Sequence, residues 1–308
     1  MAQTVFIDGG AGTTGLEIVE RLEAHPDFAP IVLDEARRKD QAARREALNE
    51  ADFAVLCLPD AAAREAVALI EPGSRTRVID ASTAHRVADG WVYGFPEISG
   101  REVVANAARV SNPGCYSTGF IGLVAPLVQA GLLPADWPYT CNAVSGYSGG
   151  GKALIERFEE DREIAWRGYA LSLGHKHVAE MQLRCGLARA PLFTPAVVPA
   201  YRGMVVEVPL PLEAMPDAAS PAQLRDELEV FYADSRLVDL SRTAPDELVL
   251  HRSAPASDRM TLHVFGDESG RQARLVAELD NLGKGAAGAA VQSLNLMAGC
   301  EETAGLRL

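Results

Sequence analysis

An α/β chain is predicted, with a doubly wound parallel sheet first and then an α+β region whose sheet is mostly antiparallel. Three observations carry that expectation. Short apolar runs alternate with stretches of helical period in the N-terminal part. A glycine-rich turn joins the first such run to the first helical stretch. Past Asn112-Pro113-Gly114 the character changes, and several later apolar runs alternate in polarity.

Thr4 to Asp8 is a short apolar run closed by glycines, and Leu16, Val19 and Leu22 then recur at helical spacing, which predicts strand, tight turn and helix. Ile31–Leu33, Phe53–Leu58 and Val78–Ile79 read as further buried strands, with a helix over Asp60–Ile70. A helix is expected from about Tyr116 to Ala130 and others near 152–167, 176–188 and 221–234. The runs Val197–Ala200, Met204–Leu210, Leu248–His251, Met260–Phe265 and Leu275–Leu279 supply the second sheet. The closing stretch from about Gly285 is rich in small residues suited to close packing. The expected division is 1–114 with the C-terminal helix 285–308, and 115–284.

The length of 308 residues fits two domains, and 48% apolar with 23% charged residues excludes a disordered or fibrous chain. A net charge of −13 argues against nucleic acid, so an anionic small molecule would need a local cluster of positive side chains. The five cysteines show neither paired nor metal-ligand spacing, which fits a reducing compartment. With no signal-like N-terminus and no long apolar run, a cytoplasmic location and no membrane partner are expected.

Gly10-Ala11-Gly12-Thr13-Thr14-Gly15 matches the G-x-G-x-x-G pattern between strand and helix, where glycines let backbone N–H groups approach a pyrophosphate. Asp34 stands where a carboxylate would bind a ribose hydroxyl and select NAD, while Arg37-Arg38-Lys39 could clamp a 2′-phosphate. The residues leave NAD, NADP and a merely solvated loop in balance. Cys115 follows Asn112-Pro113-Gly114 at the start of a helix, where dipole and N–H groups favour a thiolate and an oxyanion. Cys57, Cys141, Cys185 and Cys300 read as buried small hydrophobes. In Gly174-His175-Lys176-His177-Val178-Ala179-Glu180, His177 and Glu180 share a helix face, so the carboxylate could orient an imidazole. No third ligand lies at metal spacing, so no metal is expected. A cofactor-free Cys-His hydrolase and a catalytically silent sensor compete with a reductase.

SNPGCYST, GGAGTTG, GHKHVAE, Tyr201-Arg202-Gly203-Met204 and DNLGKGAAGAAVQSLNLM together resemble the N-acetyl-gamma-glutamyl-phosphate reductases of arginine biosynthesis, and STAHR and GFPEI resemble their shorter form. The motif NPGCY is shared with reductases of carrier-bound aminoadipyl phosphate. The resemblance implies a Rossmann domain using NADP(H), with Arg38 and Lys39 on the 2′-phosphate. It also implies that Gly10, Gly12, Thr13, Thr14, Gly15, Ser145, Gly146 and Asn281 line the cofactor, with Lys284 nearby. Cys115 is then the nucleophile that forms a thioester and His177 the base, with His175 left open as the alternative. Arg86, Arg202, Asn112 and Glu180 would bind the anionic substrate, phosphate would leave, and the middle domain would make a homodimer or homotetramer.

Overall fold

The structure is a computed structural model of the chain and describes residues 2–243 and 245–308. It divides into two compact units. The first comprises Met1–Pro113 and Ala286–Arg307, the second Gly114–Gly285 with Leu308.

In the first unit, β1 (Gln3–Asp8), β2 (Phe28–Ile31), β3 (Phe53–Leu56), β4 (Arg77–Asp80), β5 (Val92–Tyr93) and β6 (Arg109–Ser111) form a parallel sheet in the order β2-β1-β3-β4-β6-β5. Helices α1 (Thr13–Glu23), α2 (Gln41–Glu50), α3 (Asp60–Ala68), α4 (Pro96–Ser99) and α5 (Arg101–Ala105) connect the strands. Alternation along β1 sends Val5 and Ile7 into one core with Ile18, Leu22, Val55 and Ile79, and Phe6 into another with Leu48, Leu56 and Val78. Both faces are therefore covered, as a parallel sheet requires. The order reverses between β1 and β3, the crevice where such sheets take ligands.

The second unit holds β7 (Thr140–Gly146), β8 (Arg167–Gly168), β9 (Leu192–Val198), β10 (Met204–Leu210), β11 (Val238–Leu240), β12 (Met260–Gly266) and β13 (Ala273–Leu279) in the order β11-β12-β13-β10-β7-β9-β8. The pairs β11·β12 and β7·β9 are parallel and the other four antiparallel, so the expected fold class holds. Helices α6 (Cys115–Gln129), α7 (Lys152–Glu160), α8 (His177–Arg184) and α9 (Pro221–Phe231) accompany it. Helix α6 is buried from Tyr116 through Leu127. It lies so close to β10 that a Cβ on Gly119 would sit 2.7 Å from Val206. Helix α10 (Gly288–Ala298) packs in the first unit, where Ala287, Ala290, Val291 and Leu294 join the core of Val5 and Ile7.

Three expectations are corrected. The second strand is Phe28–Ile31 rather than Ile31–Leu33, because β2 is an edge strand and tolerates Pro30, which lacks an N–H. Leu248–His251 is not a strand. The place beside β12 is taken by β11, and Val249, Leu250 and His251 instead wall a cavity of about 550 Å³. The helix expected over 152–167 ends at Glu160, and its last residues turn into the short edge strand β8. Strand β7, inside the second sheet, carries no strand expectation from the sequence and ends on Ser145 and Gly146.

Candidate active site

In the first unit the glycine loop begins at Gly9, whose φ of +87° is a left-handed conformation that favours glycine. A Cβ there would strike the Cys57 carbonyl just past β3, and one on Gly15 would strike the Gly9 carbonyl. Gly12 caps α1 without a side chain and donates to Gly9 O at 2.9 Å. Thr13, Thr14 and Gly15 form the first turn of α1, whose N–H groups have no intrahelical acceptor. Gly10 is crowded by Val32, 3.0 Å from where its Cβ would be. The loop's base is braced by a nearly buried ion pair, Arg44 of α2 to Asp8 at 2.7 Å.

Asp34 lies on an exposed turn, where its Oδ1 accepts from the Arg37 N–H at 2.9 Å and its carbonyl from the Arg38 N–H at 2.8 Å. Arg38 is exposed and 2.9 Å from Glu35, and Lys39 is exposed beside it. One carboxylate oxygen of Asp34 thus holds its own turn together.

The segment after β4 is knotted around the buried Asp80. Its carboxylate accepts from Ser82 and meets His85 Nδ1 at 2.6 Å, while His85 stacks on Trp91 at 4.1 Å. Arg86, buried, donates from Nε to the Asn112 carbonyl at 2.9 Å and from a terminal nitrogen to Ala81 O at 3.3 Å. Asn112 donates from Nδ2 to Ala286 O at 2.9 Å, and its buried Oδ1 accepts no hydrogen bond.

In the second unit Cys115 is the first residue of α6, after Gly114 in an extended cap conformation. Its side chain is partly exposed. A Cβ on Gly285 would lie 2.9 Å from Cys115 Cβ, so glycine there is what lets the 283–287 turn pass beneath the thiol. The other cysteines are chemically unlike a nucleophile. Burial, then Asp80 and Asp8, pushes the Cys57 thiol up to about 12. Burial likewise raises Cys141, Cys185 and Cys300. As whole residues Cys57 and Cys300 keep some exposed surface, unlike the buried cysteines expected there, although the Cys57 thiol itself is enclosed.

Glu180, 1% exposed, reaches across to α6 and accepts from the Gly114 N–H at 3.1 Å, with its other oxygen 3.9 Å from His177 Nε2. Ser117, on the second residue after Cys115, donates to the His177 carbonyl at 3.4 Å. His177, the first residue of α8, is thereby held against the helix that carries Cys115. His175 lies just outside α8, and its Nδ1 accepts from the His177 N–H at 3.1 Å.

A second clamp surrounds the end of β7. A Cβ on Gly146 would sit 2.7 Å from the Tyr201 carbonyl, and the Ser145 hydroxyl donates to Gly146 O at 3.0 Å. Asn281, 1% exposed, uses both ends of its amide, donating to the Ser148 hydroxyl at 2.9 Å and accepting from the Gly203 N–H at 3.0 Å. Arg202 pairs with Asp280 at 2.9 Å, and the same carboxylate accepts from the Leu282 N–H. The Asp280 carbonyl accepts from Gly283 and Gly285. Lys284 is 1% exposed. Sequence reasoning missed Asp280, Ser117 and Gly285, although the first and last lie inside DNLGKG, where two glycines flank a lysine. Among the described residues no group of three His, Cys, Asp or Glu is placed to hold a metal ion, and no helix is long and apolar enough to cross a membrane.

A family model for the semialdehyde dehydrogenase dimerisation domain matches residues 115–281, and one for the semialdehyde dehydrogenase NAD binding domain matches 34–107. The chain is 45% identical to N-acetyl-gamma-glutamyl-phosphate reductase 2 of Nostoc sp., over 98% of each protein. It is 49% identical to the N-acetyl-gamma-glutamyl-phosphate reductase of Burkholderia ambifaria, over 96% of each, and 48% identical to that of Brucella suis, over 97% of this chain and 100% of the other. Among solved structures, aspartate semialdehyde dehydrogenase II of Vibrio cholerae shares the fold, with a TM-score of 0.73 at 18% identity over 97% of this chain and 98% of that one. With near-complete alignment to several such reductases and both domain models matched, the chain belongs to the N-acetyl-gamma-glutamyl-phosphate reductase family of the semialdehyde dehydrogenases.

Proposed function

We propose that this protein reduces N-acetyl-L-glutamyl 5-phosphate to N-acetyl-L-glutamate 5-semialdehyde and phosphate with NADPH, in the cytoplasm, as a step of arginine biosynthesis. The observation that carries the reading is Cys115, a partly exposed thiol at the first position of a buried helix, with Glu180, Ser117 and His177 tied to the same helix start. The names of the relatives supply the substrate.

The residues fit a dinucleotide, because Gly9 and Gly15 clear the loop for backbone approach and α1 presents its first-turn N–H groups. Arg38 and Lys39 are assigned to the 2′-phosphate, and Ser145, Gly146 and Asn281 to the nicotinamide side. Bound NADPH supplies the hydride that reduces the thioester carbonyl. The Cys115 thiolate attacks the acyl carbon, forming the C–S bond as the C–O bond to phosphate breaks. N–H groups at the start of α6 stabilise the oxyanion. After reduction the C–S bond breaks, the aldehyde leaves and the thiolate returns, with His177 holding the proton that balances these states.

Arg202, steadied by Asp280, is assigned to an anionic group of the substrate. Arg86, expected on the anionic substrate, has its Nε on the Asn112 carbonyl and is assigned instead to bracing the chain before Cys115. Residues 1–114 with 285–308 are read as the cofactor domain, and 115–284 as the catalytic and oligomerisation domain of a homodimer or homotetramer. A steady-state assay tests the reading. Phosphate-dependent reduction of NADP by N-acetylglutamate semialdehyde, well above the rate with aspartate semialdehyde, supports it, and preference for aspartate semialdehyde overturns it.

A further inference from the structure

We propose that His175 is a positioning residue that fixes His177 as the base, by serving as a neutral cap on the first turn of α8. The inference rests on the reading that His177 serves Cys115. Lys176, at the cap position, has helical φ and ψ and makes no side-chain cap. His175 takes over that work twice. Its carbonyl accepts from the Val178 N–H at 3.1 Å, and its imidazole Nδ1 accepts from the His177 N–H at 3.1 Å.

An N–H donor requires a bare nitrogen, so the His175 ring proton belongs on Nε2, which faces the Tyr169 hydroxyl at 3.4 Å. An imidazolium would present a proton on both nitrogens and lose the cap. The basic nitrogen of His175 is therefore engaged with backbone, which leaves proton transfer to His177.

The ring is held in plane by four others, all near edge-to-face: Tyr116 at 6.2 Å, Tyr169 at 5.6 Å, Phe193 at 5.1 Å and His177 at 4.6 Å. The chain entering this box is strained, with φ of +54° at Ala170 and +62° at Leu173. Of the charged groups nearby, Arg167 lies over the Tyr169 ring at 4.7 Å, Glu180 faces His177 and Lys176 is exposed. The His177 backbone is thus gripped on both sides of its Cα, its N–H by His175 and its carbonyl by Ser117 of α6. The placement of His177 against the Cys115 helix follows from these two backbone anchors.

Two substitutions test this in the full-length protein. His175→Phe fills the aromatic box without an acceptor, whereas His175→Asn keeps a short side-chain acceptor for the N–H two residues on. The Phe variant is expected to lose about 10–100-fold in kcat with KM changed little, as misplacement of a catalytic group does. Iodoacetamide should alkylate Cys115 more slowly in the same variant. The Asn variant should recover most of both losses. Equal losses in the Asn and Phe variants, or wild-type kcat and alkylation in the Phe variant, overturn the proposal. If the Phe variant fails to fold, His175→Leu makes the same comparison. If wild-type protein does not turn over N-acetylglutamate semialdehyde, the functional reading falls, and the alkylation rates alone decide the role of His175.

Discussion

Replacing Gly285 by alanine should damage catalysis far more than stability. The added methyl would lie 2.9 Å from Cys115 Cβ, 3.0 Å from the Asp280 carbonyl oxygen and 3.4 Å from Cys115 Cα. Carbon atoms in contact prefer about 3.5–4.0 Å, so the turn and the start of α6 must part by about 0.6 Å or more. Forcing one methyl into a packed site costs about 1–3 kcal/mol. Gly285 lies in a helical turn and is not among the glycines with positive φ, so alanine returns about 1 kcal/mol of helix preference. The net loss of stability is therefore about 0–2 kcal/mol. A displacement approaching 1 Å at a reacting group costs about 100-fold in rate, so kcat/KM should fall by about 10–100-fold while Tm drops only a few degrees. Steady-state kinetics with N-acetylglutamate semialdehyde, phosphate and NADP, beside a thermal melt, measures both. An alanine variant with kcat/KM within about twofold of wild type and a raised Tm would show that the turn has room beneath the thiol and refute the reasoning.

Cys115→Ser should abolish turnover while leaving NADPH affinity nearly intact, since a hydroxyl is far less acidic than a thiol. Wild-type rates would sink the nucleophile assignment. Arg38→Ala should weaken NADPH much more than NADH, and equal losses in a binding titration would remove Arg38 from the 2′-phosphate. Burial, with Asp80 and Asp8, raises the Cys57 thiol from 9.0 to about 12, so the folded state holds this proton more tightly than the unfolded chain. The resulting stability is fully present below about pH 9 and is lost as pH rises toward about 12. In urea unfolding between about pH 8 and about pH 11, the stability advantage of wild type over Cys57→Ala should therefore shrink. A constant difference would refute the assignment.

Strand, glycine turn and helix at the N-terminus were legible because the apolar period and the glycines are local signals, and β1 and α1 follow them. Strand β2 was misplaced because Pro30 argues against a strand until it is known that the strand lies at the edge. Leu248–His251 has the apolar character of a strand, yet pairing is a competition for one sheet edge, and Val238–Leu240 occupies it. The site divides in the same way. Cys115 stood out from the other cysteines through Asn112-Pro113-Gly114 and the helix that follows, and His177 with Glu180 through their spacing.

Nothing local says that Glu180 would turn to the Gly114 N–H, that Asn281 would clamp Ser148 to Gly203, or that Arg86 would grip the Asn112 carbonyl. Those partners lie between 26 and 133 residues apart. The order of secondary structure, the glycine loop and the thiol at a helix start were determined by the sequence itself, because periodicity, turn chemistry and helix capping act over a few residues. The different surroundings of His175 and His177 were set by tertiary structure. Both imidazoles have the same intrinsic chemistry, and what separates them is which nitrogen is engaged by backbone and which ring is held against α6.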